Sequence, residues 1–375
     1  MNKHASGLKH LTPLAEKKVT WLELFYDLLF VAAVSKAGHV LLHVESGVVP
    51  AEYLIKFILI FVPIWWAWVG QSLFVNRFGR DQFSHRIFLI LQLFFVLIMT
   101  ASLSVQFDQY YVPFFIGYIG LRAMTAIQYL SVHKKLEEGH KATARYLGSR
   151  FWIGLIVSSF SLFFDSWIRY AVLYAGIAVD IVFPILGRKY LVKSPIQPHH
   201  LLERFSLFTL ILLGESVISI LAVLQTGDLT WQSVLFASIT FVLVIAIWWQ
   251  YFDNVEKKVN KSITTAGQTI IYGHLFIYLS MCMIAASIQL LFLNQLNHFF
   301  MLTFIFGSVL LYFFSTSLVF HKYRHVDQRL RFYHLALFLG LLGVFFAVDW
   351  FVLLPNYVIA GEVALFFIVY AKVTT

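Results

Sequence analysis

Long apolar segments follow one another along almost the whole chain and are separated by short polar stretches. A helix that crosses a bilayer needs about 20 mainly apolar residues, and twelve segments approach or exceed that length. The pattern therefore predicts an all-α, polytopic membrane protein with twelve transmembrane helices and no second domain in the loops. The predicted helices cover residues 20–44, 53–76, 86–106, 112–132, 146–164, 166–186, 199–224, 230–252, 268–292, 298–320, 332–352 and 355–371.

The amino-acid composition excludes an ordinary soluble domain. Hydrophobic residues make up 60% of the 375 residues and charged residues 13%, whereas a soluble domain is about 25% charged. The one cysteine, Cys282, lies in an apolar segment, so disulfide bonds do not contribute to the fold. The N-terminal segment is basic and polar, and the apolar run after it is too long for a signal peptide. A cleavable signal peptide is therefore not expected.

The distribution of charge changes the meaning of the net charge of +9. Lys and Arg concentrate in the N-terminal tail and in every second loop, whereas the loops between contain acids such as Glu45 and Asp108. Basic loops mark the cytoplasmic side of a membrane protein. The pattern predicts that both termini are cytoplasmic and that the basic loops contact anionic lipid headgroups. Nucleic acid is not an expected partner.

Three features recur in the two halves of the chain at a spacing of 180 to 183 residues. They are Glu23-Leu-Phe and Glu203-Arg-Phe, Trp65-Trp66 and Trp248-Trp249, and Asp180 and Glu362. A constant spacing predicts an internal duplication, and an even number of spans in each half makes the repeats parallel. Chance recurrence in a chain so rich in aromatic residues is the alternative. The predicted order is a cytoplasmic tail (1–19), a first six-helix repeat (20–186), a cytoplasmic linker (187–198) and a second six-helix repeat (199–375).

Ionisable side chains inside the predicted spans are the best candidates for functional residues, because each costs at least ~2.5–3.5 kcal/mol to insert. Glu23 and Asp27 lie four residues apart on one face of the first span. They could form a pair that handles protons or cations. Alternatively, Glu23 complements the positive N-terminus of its helix, although Asp27 lies too far into the helix for that role.

The seventh span contains a second pair of charges, Arg204 and Glu215. They point in similar directions but lie about 16 Å apart along the helix axis, so they cannot pair with each other. Each therefore needs a partner on another helix or a water molecule. Arg122, in the centre of the fourth span, is the basic candidate for Glu215 or for Asp180. A buried structural ion pair that fixes helix register is the alternative.

The remaining acids in and near the spans give three further expectations. Asp180 and Glu362, at matching places in the two repeats, would lie across the pseudo-axis, where two-repeat transporters place their sites. Asp349 is expected to be solvated because it lies near a span end, as do Glu52 and Asp165. Lys36 lies deep enough to require a carboxylate partner.

Histidine spacing gives little support to a metal site. His39 and His43 are four residues apart, as are His321 and His325, but no cysteine or cluster of acids completes either set. No metal or other cofactor is therefore expected. His274, inside the ninth span, could join a proton relay or be a satisfied core residue. Because no nucleophile–base pair or metal triad occurs at membrane depth, no enzymatic activity is expected.

Two motifs resemble the signatures of the bacterial low temperature requirement A (LtrA) family. The run Glu23-Leu-Phe-Tyr-Asp27-Leu-Leu-Phe-Val31 is similar to its Glu-Leu-Phe-Phe-Asp-Leu-Val-Phe-Val signature, with Tyr26 and Leu29 as departures. The run His200-Leu-Leu-Glu-Arg-Phe-Ser-Leu-Phe208, followed by Leu213-Gly-Glu-Ser216, resembles the second signature. The resemblance implies a link to growth in the cold. It marks these signature polar positions: Glu23, Asp27, Glu203, Arg204 and Glu215.

Transport is the leading functional hypothesis, and proton coupling is an option within it. In an inner-membrane transporter or permease, Glu215 would be the central protonatable group. The path for a small solute or ion would be lined by Asp27, Asp180 and Glu362, with Arg122 or Arg204 as counter-charge.

Two alternatives remain open. Phe25-Tyr-Asp27 is similar to the Phe-Ser-Asp first helix of a two-repeat potassium channel family, which favours an ion channel. A scaffold or sensor whose buried charges only hold helices together is the other alternative.

Overall fold

The computed structural model describes residues 17–80, 82–104, 107–225, 230–263, 265–325 and 329–375. Most of the predicted tail therefore lies outside the described residues. Within them the fold is all-α, and the only β-bridges are two isolated ones. The helices are α1 (Trp21–His39), α2 (Ala51–Phe78), α3 (Phe83–Ala101), α4 (Tyr111–Val132), α5 (Glu138–Ser159), α6 (Ser166–Leu186), α7 (Arg188–Leu191), α8 (Pro198–Gln225), α9 (Trp231–Asp253), α10 (Gln268–Leu293), α11 (His298–Tyr323), α12 (Phe332–Phe351) and α13 (Asn356–Thr374).

Eleven helices of the described chain are long and apolar enough to cross a membrane. The protein is therefore a multi-pass membrane protein. The predicted fourth span corresponds to α4, which has 22 residues but is not among the eleven. Its charged Arg122 and polar Gln128 lower its mean apolarity. The four-residue α7 lies in the predicted linker and is too short to span.

Local sequence explains where α1 begins. Thr20 is its N-cap and accepts a hydrogen bond from the main-chain N–H of Glu23, while Glu23 Oε1 accepts one from the Thr20 main chain. This reciprocal arrangement satisfies donors that the first turn of a helix leaves free. The alternative interpretation of Glu23 as a residue of the helix start is thus correct in part, because its other oxygen serves the site described below.

Helices α2 and α10 lie at the centre of the bundle, because 83% and 72% of the residues in their 18-residue apolar segments are buried. Helix α12 lies at the periphery, where 17% is buried. Helices α1 and α2 of the first half contact α8 and α10 of the second half. The helices that contain the two signature motifs, α1 and α8, therefore both take part in the contact between the two halves.

The two halves resemble each other only partly in their packing. The pairs α1–α3 and α3–α4 have counterparts in α8–α10 and α10–α11, but α9 and α13 pack together far more extensively than α2 and α6. The matching tryptophans also differ, since Trp65 and Trp66 are buried whereas Trp248 and Trp249 are 43% and 36% exposed. The duplication accordingly stays a prediction.

Candidate functional site

Arg204 of α8 joins the two acids of α1 across the contact between the halves. Its Nη1 lies 2.8 Å from Oε2 of Glu23, and its Nε lies 2.9 Å from Oδ2 of Asp27. A third hydrogen bond, from Nη2 to Oδ1 of Asp27, measures 2.5 Å. These three side chains are at most 2% exposed. The guanidinium thus forms a forked contact with Asp27 and a single contact with Glu23, a geometry suited to arginine.

An aromatic wall from α2, α8 and α10 encloses this contact. Trp68 donates its indole N–H to Oδ1 of Asp27 over 2.7 Å. Its ring packs against Phe205, Phe208 and Tyr278. Water is thereby kept from Asp27, and charge interactions are strengthened in such an apolar environment.

His200 completes the group, and its neighbours fix its protonation state. Oδ1 of Asn76 accepts the Gln197 main-chain N–H, so the Asn76 amide nitrogen is free to donate to the ring Nδ1 of His200, 3.2 Å away. A nitrogen that accepts carries no proton, so the neutral ring has its proton on Nε2. Nε2 faces Oε2 of Glu23 at 3.2 Å.

We call Glu23, Asp27, Trp68, His200 and Arg204 the interface cluster. With His200 neutral, it holds two carboxylates and one guanidinium. The cluster is therefore one positive charge short of neutrality.

A cavity of about 520 Å³ reaches the cluster from the end of the bundle where α1 begins and α2 ends. Glu23, Lys17, Arg80 and His85 are among its lining residues. Nζ of Lys17 donates to the main-chain oxygens of Val75 and Gly79, the latter at 2.8 Å. Burial lowers the pKa of Lys17 from 10.5 to about 8, although the Glu23 carboxylate opposes the change. Glu23 thus borders both this cavity and the buried cluster.

A separate ion pair joins α4 and α6. Nε of Arg122 lies 2.7 Å from Oδ2 of Asp180, and Trp66 donates its indole N–H to the same oxygen over 3.1 Å. Gly70 of α2 makes room for the guanidinium, because a Cβ there would lie 2.0 Å from Nη1 of Arg122. Of the two partners considered for Arg122, the structure selects Asp180.

Comparison with known proteins decides the family. The profile of the bacterial low temperature requirement A protein (LtrA) matches residues 18–371, nearly the whole chain. The chain belongs to the LtrA family. An uncharacterised protein of Rhizobium meliloti (strain 1021) is 26% identical over 278 residues, which is 69% of this chain and 66% of the relative. The match thus spans just under two thirds of that relative. No solved structure shows a significant match.

The LtrA signature positions do not all meet in one site. Glu23, Asp27 and Arg204 belong to the interface cluster, whereas Glu203 is half-buried and is not one of its members. Glu215 is also half-buried and borders a separate cavity of about 20 Å³ with Gly38 and Cys282. The prediction that Arg204 and Glu215 need different partners agrees with this arrangement.

Two expectations about other charges in this LtrA protein were wrong. Asp349 is fully buried, because α12 places it against Glu362 of α13. Lys36 donates to the main-chain oxygen of Thr100 over 3.2 Å and pairs with no carboxylate among the described residues. Asp180 pairs with Arg122 and Glu362 lies beside Asp349, and the placement of these two acids across a pseudo-axis stays a prediction.

Other expectations hold for the described residues. Glu52 and Asp165 are exposed. His274 is a satisfied core residue, since its ring bonds to the Ile270 oxygen and to the Tyr251 hydroxyl at 2.7 and 2.8 Å.

Sequence reasoning missed several members of the site. Trp68 and Asn76 lie in an apolar run, and His200 entered only as the first residue of the second signature run. A usable signal was present for His200, because it precedes Arg204 by one helical turn and therefore shares its face. Asn76 is a polar residue near the end of a buried span, which is itself unusual.

Proposed function

We propose that this LtrA-family protein is a proton-coupled transporter or permease of the bacterial inner membrane. In this proposal it has twelve spans in two parallel six-helix repeats, and both termini are cytoplasmic. Its substrate is a small solute or ion. The basic loops and the offset between the two motifs support the orientation and the repeat, respectively.

The observation that carries the proposal is the position of Glu23. One edge of this residue borders the 520 Å³ cavity, and its Oε2 contacts both Arg204 and His200 inside the bundle. A proton entering the cavity therefore has a route to a buried group that lacks one positive charge. Buried ionisable groups that a water-filled space can reach are typical of proton pathways in transporters.

His200 links that proton to helix movement. A proton arriving at Nδ1 would change this atom from an acceptor to a donor, and it would then face the donating amide of Asn76. The same amide holds the main chain at Gln197, just before α8. Protonation would therefore weaken the contact between α2 and the start of α8, which belong to different halves. Relative motion of two halves is how alternating access works.

Proton flux in proteoliposomes tests the proposal. We expect wild-type vesicles to take up protons under an imposed membrane potential, as reported by a trapped pH-sensitive dye. E23Q removes the charge at the cavity, and H200Q removes the imidazole ring. Both variants should fall to the level of protein-free vesicles while remaining monodisperse in detergent.

E52Q is the matched control, since Glu52 is an exposed acid paired with Lys56 on the outside of α2. It should retain wild-type uptake. Proton uptake by E215Q separates this proposal from the view that Glu215 is the central protonatable group. The variant should retain uptake if the interface cluster is the proton route and should lose it if Glu215 is. Uptake by folded E23Q and H200Q at the wild-type rate would exclude the cluster as the proton route. Passive potassium current in place of proton uptake would favour the channel alternative.

A further inference from the structure

A second group of buried acids lies at the hairpin between α12 and α13. Asp349 is two residues from the end of α12, and Glu362 is six residues from the start of α13, about 9 Å along its axis. Asp349 is 0% exposed, whereas Glu362 is partly exposed. The carboxyls of Glu362 and Asp349 face each other where α12 packs against α13. By the charge pattern, this end of the bundle is the non-cytoplasmic side.

Three carboxyl oxygens of the pair lack a hydrogen-bond donor. Both side-chain oxygens of Asp349 and Oε2 of Glu362 have no hydrogen-bond donor from the protein. None of the Lys or Arg ion pairs among the described residues includes either acid. His298 of α11 faces Asp349, but its ring Nε2 donates to the main-chain oxygen of that residue over 2.7 Å. The fully buried Asp349 is therefore a polar side chain that needs a ligand.

Two carboxylates in contact in apolar surroundings cannot both remain ionised, and a hydrogen bond between them requires a proton. We propose that Asp349 and Glu362 share one proton and form a proton-binding site of the second half, separate from the interface cluster. Asp180, the sequence counterpart of Glu362, shows the contrast, because Arg122 neutralises it. The second half uses a second acid where the first half uses an arginine.

Exposure indicates how the proton would exchange. Asp349 is closed off, so Glu362 is the member of the pair that can pass the proton to the surroundings. His298 of α11 also faces Asp349, and its ring Nε2 donates to the main-chain oxygen of that residue. The proposal concerns proton binding alone and does not depend on transport by the protein.

Labelling with dicyclohexylcarbodiimide tests the shared proton. This apolar reagent adds the O–H of a protonated carboxyl across one of its C=N bonds, and migration of the acyl group from oxygen to nitrogen then gives a stable N-acylurea with no atom lost. With the full chain in lipid nanodiscs at pH 7, we expect peptide mass spectrometry to find the adduct on Glu362. Exposed Glu52 should stay unmodified.

The variant D349N gives the matched comparison. The side-chain amide that D349N introduces would donate to the Glu362 carboxylate, so Glu362 would no longer need a proton. Labelling of Glu362 should therefore fall about tenfold, which corresponds to a change of about one unit in its pKa. If D349N fails to fold, infrared spectra serve instead: the C=O band of a protonated carboxyl should be present in wild type and absent from E362Q.

Three results would overturn the proposal. Glu362 could stay unlabelled between about pH 5.5 and 8 in folded wild-type protein, a range above the ordinary pKa values of about 3.9 for Asp and about 4.3 for Glu, where an ordinary carboxyl is ionised. Labelling could be the same in folded D349N. Added sodium or calcium could abolish labelling at constant pH, which would assign the site to a metal cation. Because no flux is measured, these outcomes leave the proton-coupled transport proposal to its own test.

Discussion

Lys17 shows how a single charge at the end of the bundle can make stability depend on pH. It binds two carbonyls at the C-terminal end of α2, where a helix leaves acceptors free and carries partial negative charge. Burial nevertheless lowers its pKa from 10.5 to about 8. The folded protein therefore loses the Lys17 proton near pH 8, whereas the unfolded chain keeps it until about pH 10.4.

The sign of the effect follows from proton binding. Between about pH 8 and pH 10.5 the unfolded state binds more protons, so the free energy of unfolding should rise with pH in this window. Below pH 8 Lys17 is protonated in both states, so its contribution to the free energy of unfolding does not change with pH. Thermal unfolding in detergent should show a midpoint that rises from pH 8 to pH 10 in wild type relative to K17M. Parallel curves for the two proteins would show that the Lys17 pKa is not lowered.

At the residue scale, the sequence identified charges better than their neutral partners. Glu23, Asp27 and Arg204 were predicted because a charge inside a span is costly wherever it lies. Trp68 and Asn76 were missed because their types are ordinary in a span, and their role depends on which helix they face. Asp349 was misjudged since nearness to a span end was equated with solvation, whereas packing of α13 buries it.

At the element scale, substitution of Gly70 tests how the contact of α2 with α4 holds Arg122 in place. A Cβ at Gly70 would lie 2.0 Å from Nη1 of the fully buried Arg122. G70A should therefore displace the guanidinium from Asp180 and lower the free energy of unfolding by about 1–3 kcal/mol, as overpacking does. Gly214 of α8 has nothing within 4 Å of its ideal Cβ.

The control variant G214A should raise the free energy of unfolding, whereas G70A should lower it. Alanine restricts the unfolded chain and fits the helix there, so a gain of about 0.4–1 kcal/mol is expected. Both values can be measured by chemical unfolding in the same detergent. Equal stability of G70A and wild type would mean that Arg122 can move without leaving Asp180.

Elements themselves were predicted well because an apolar run of sufficient length has to become a helix in a bilayer. The predicted 298–320 span corresponds to α11, which begins at His298 because Asn297 caps it. The predicted 20–44 span ends two residues too late, since α1 continues as a 3-10 turn that ends at Leu42. Hydropathy marks the apolar core of a helix, whereas capping and turn residues decide its ends.

At the scale of the whole molecule, hydropathy could not predict which helices meet. Lipid and protein interior are both apolar, so a span gives little sign of its neighbours. The matching pairs Trp65-Trp66 and Trp248-Trp249 illustrate this, because one pair is buried and the other faces outward. Contact between α1 and α8 could be inferred only from charges of opposite sign that each needed a partner.

The interface cluster should therefore be a main source of stability for the contact between the two halves. R204M leaves Glu23 and Asp27 buried without their shared cation, and losing one partner of a buried ion pair costs about 3–5 kcal/mol. K141M is the comparison, because the Lys141–Glu138 pair is exposed on α5. An exposed pair contributes about 0–1 kcal/mol. Unfolding midpoints in detergent should show this difference.

Neutralising the whole cluster separates its structural role from its proposed transport role. In the triple variant E23Q/D27N/R204M no buried charge lacks a partner, and replacement of a complete buried ion group is often close to neutral for stability. We expect it to recover most of the stability that R204M loses but to take up no protons. Recovery of both stability and uptake would show that the cluster only joins the halves. Stability as low as that of R204M would instead mean that the ionic contacts themselves hold α1 and α8 together.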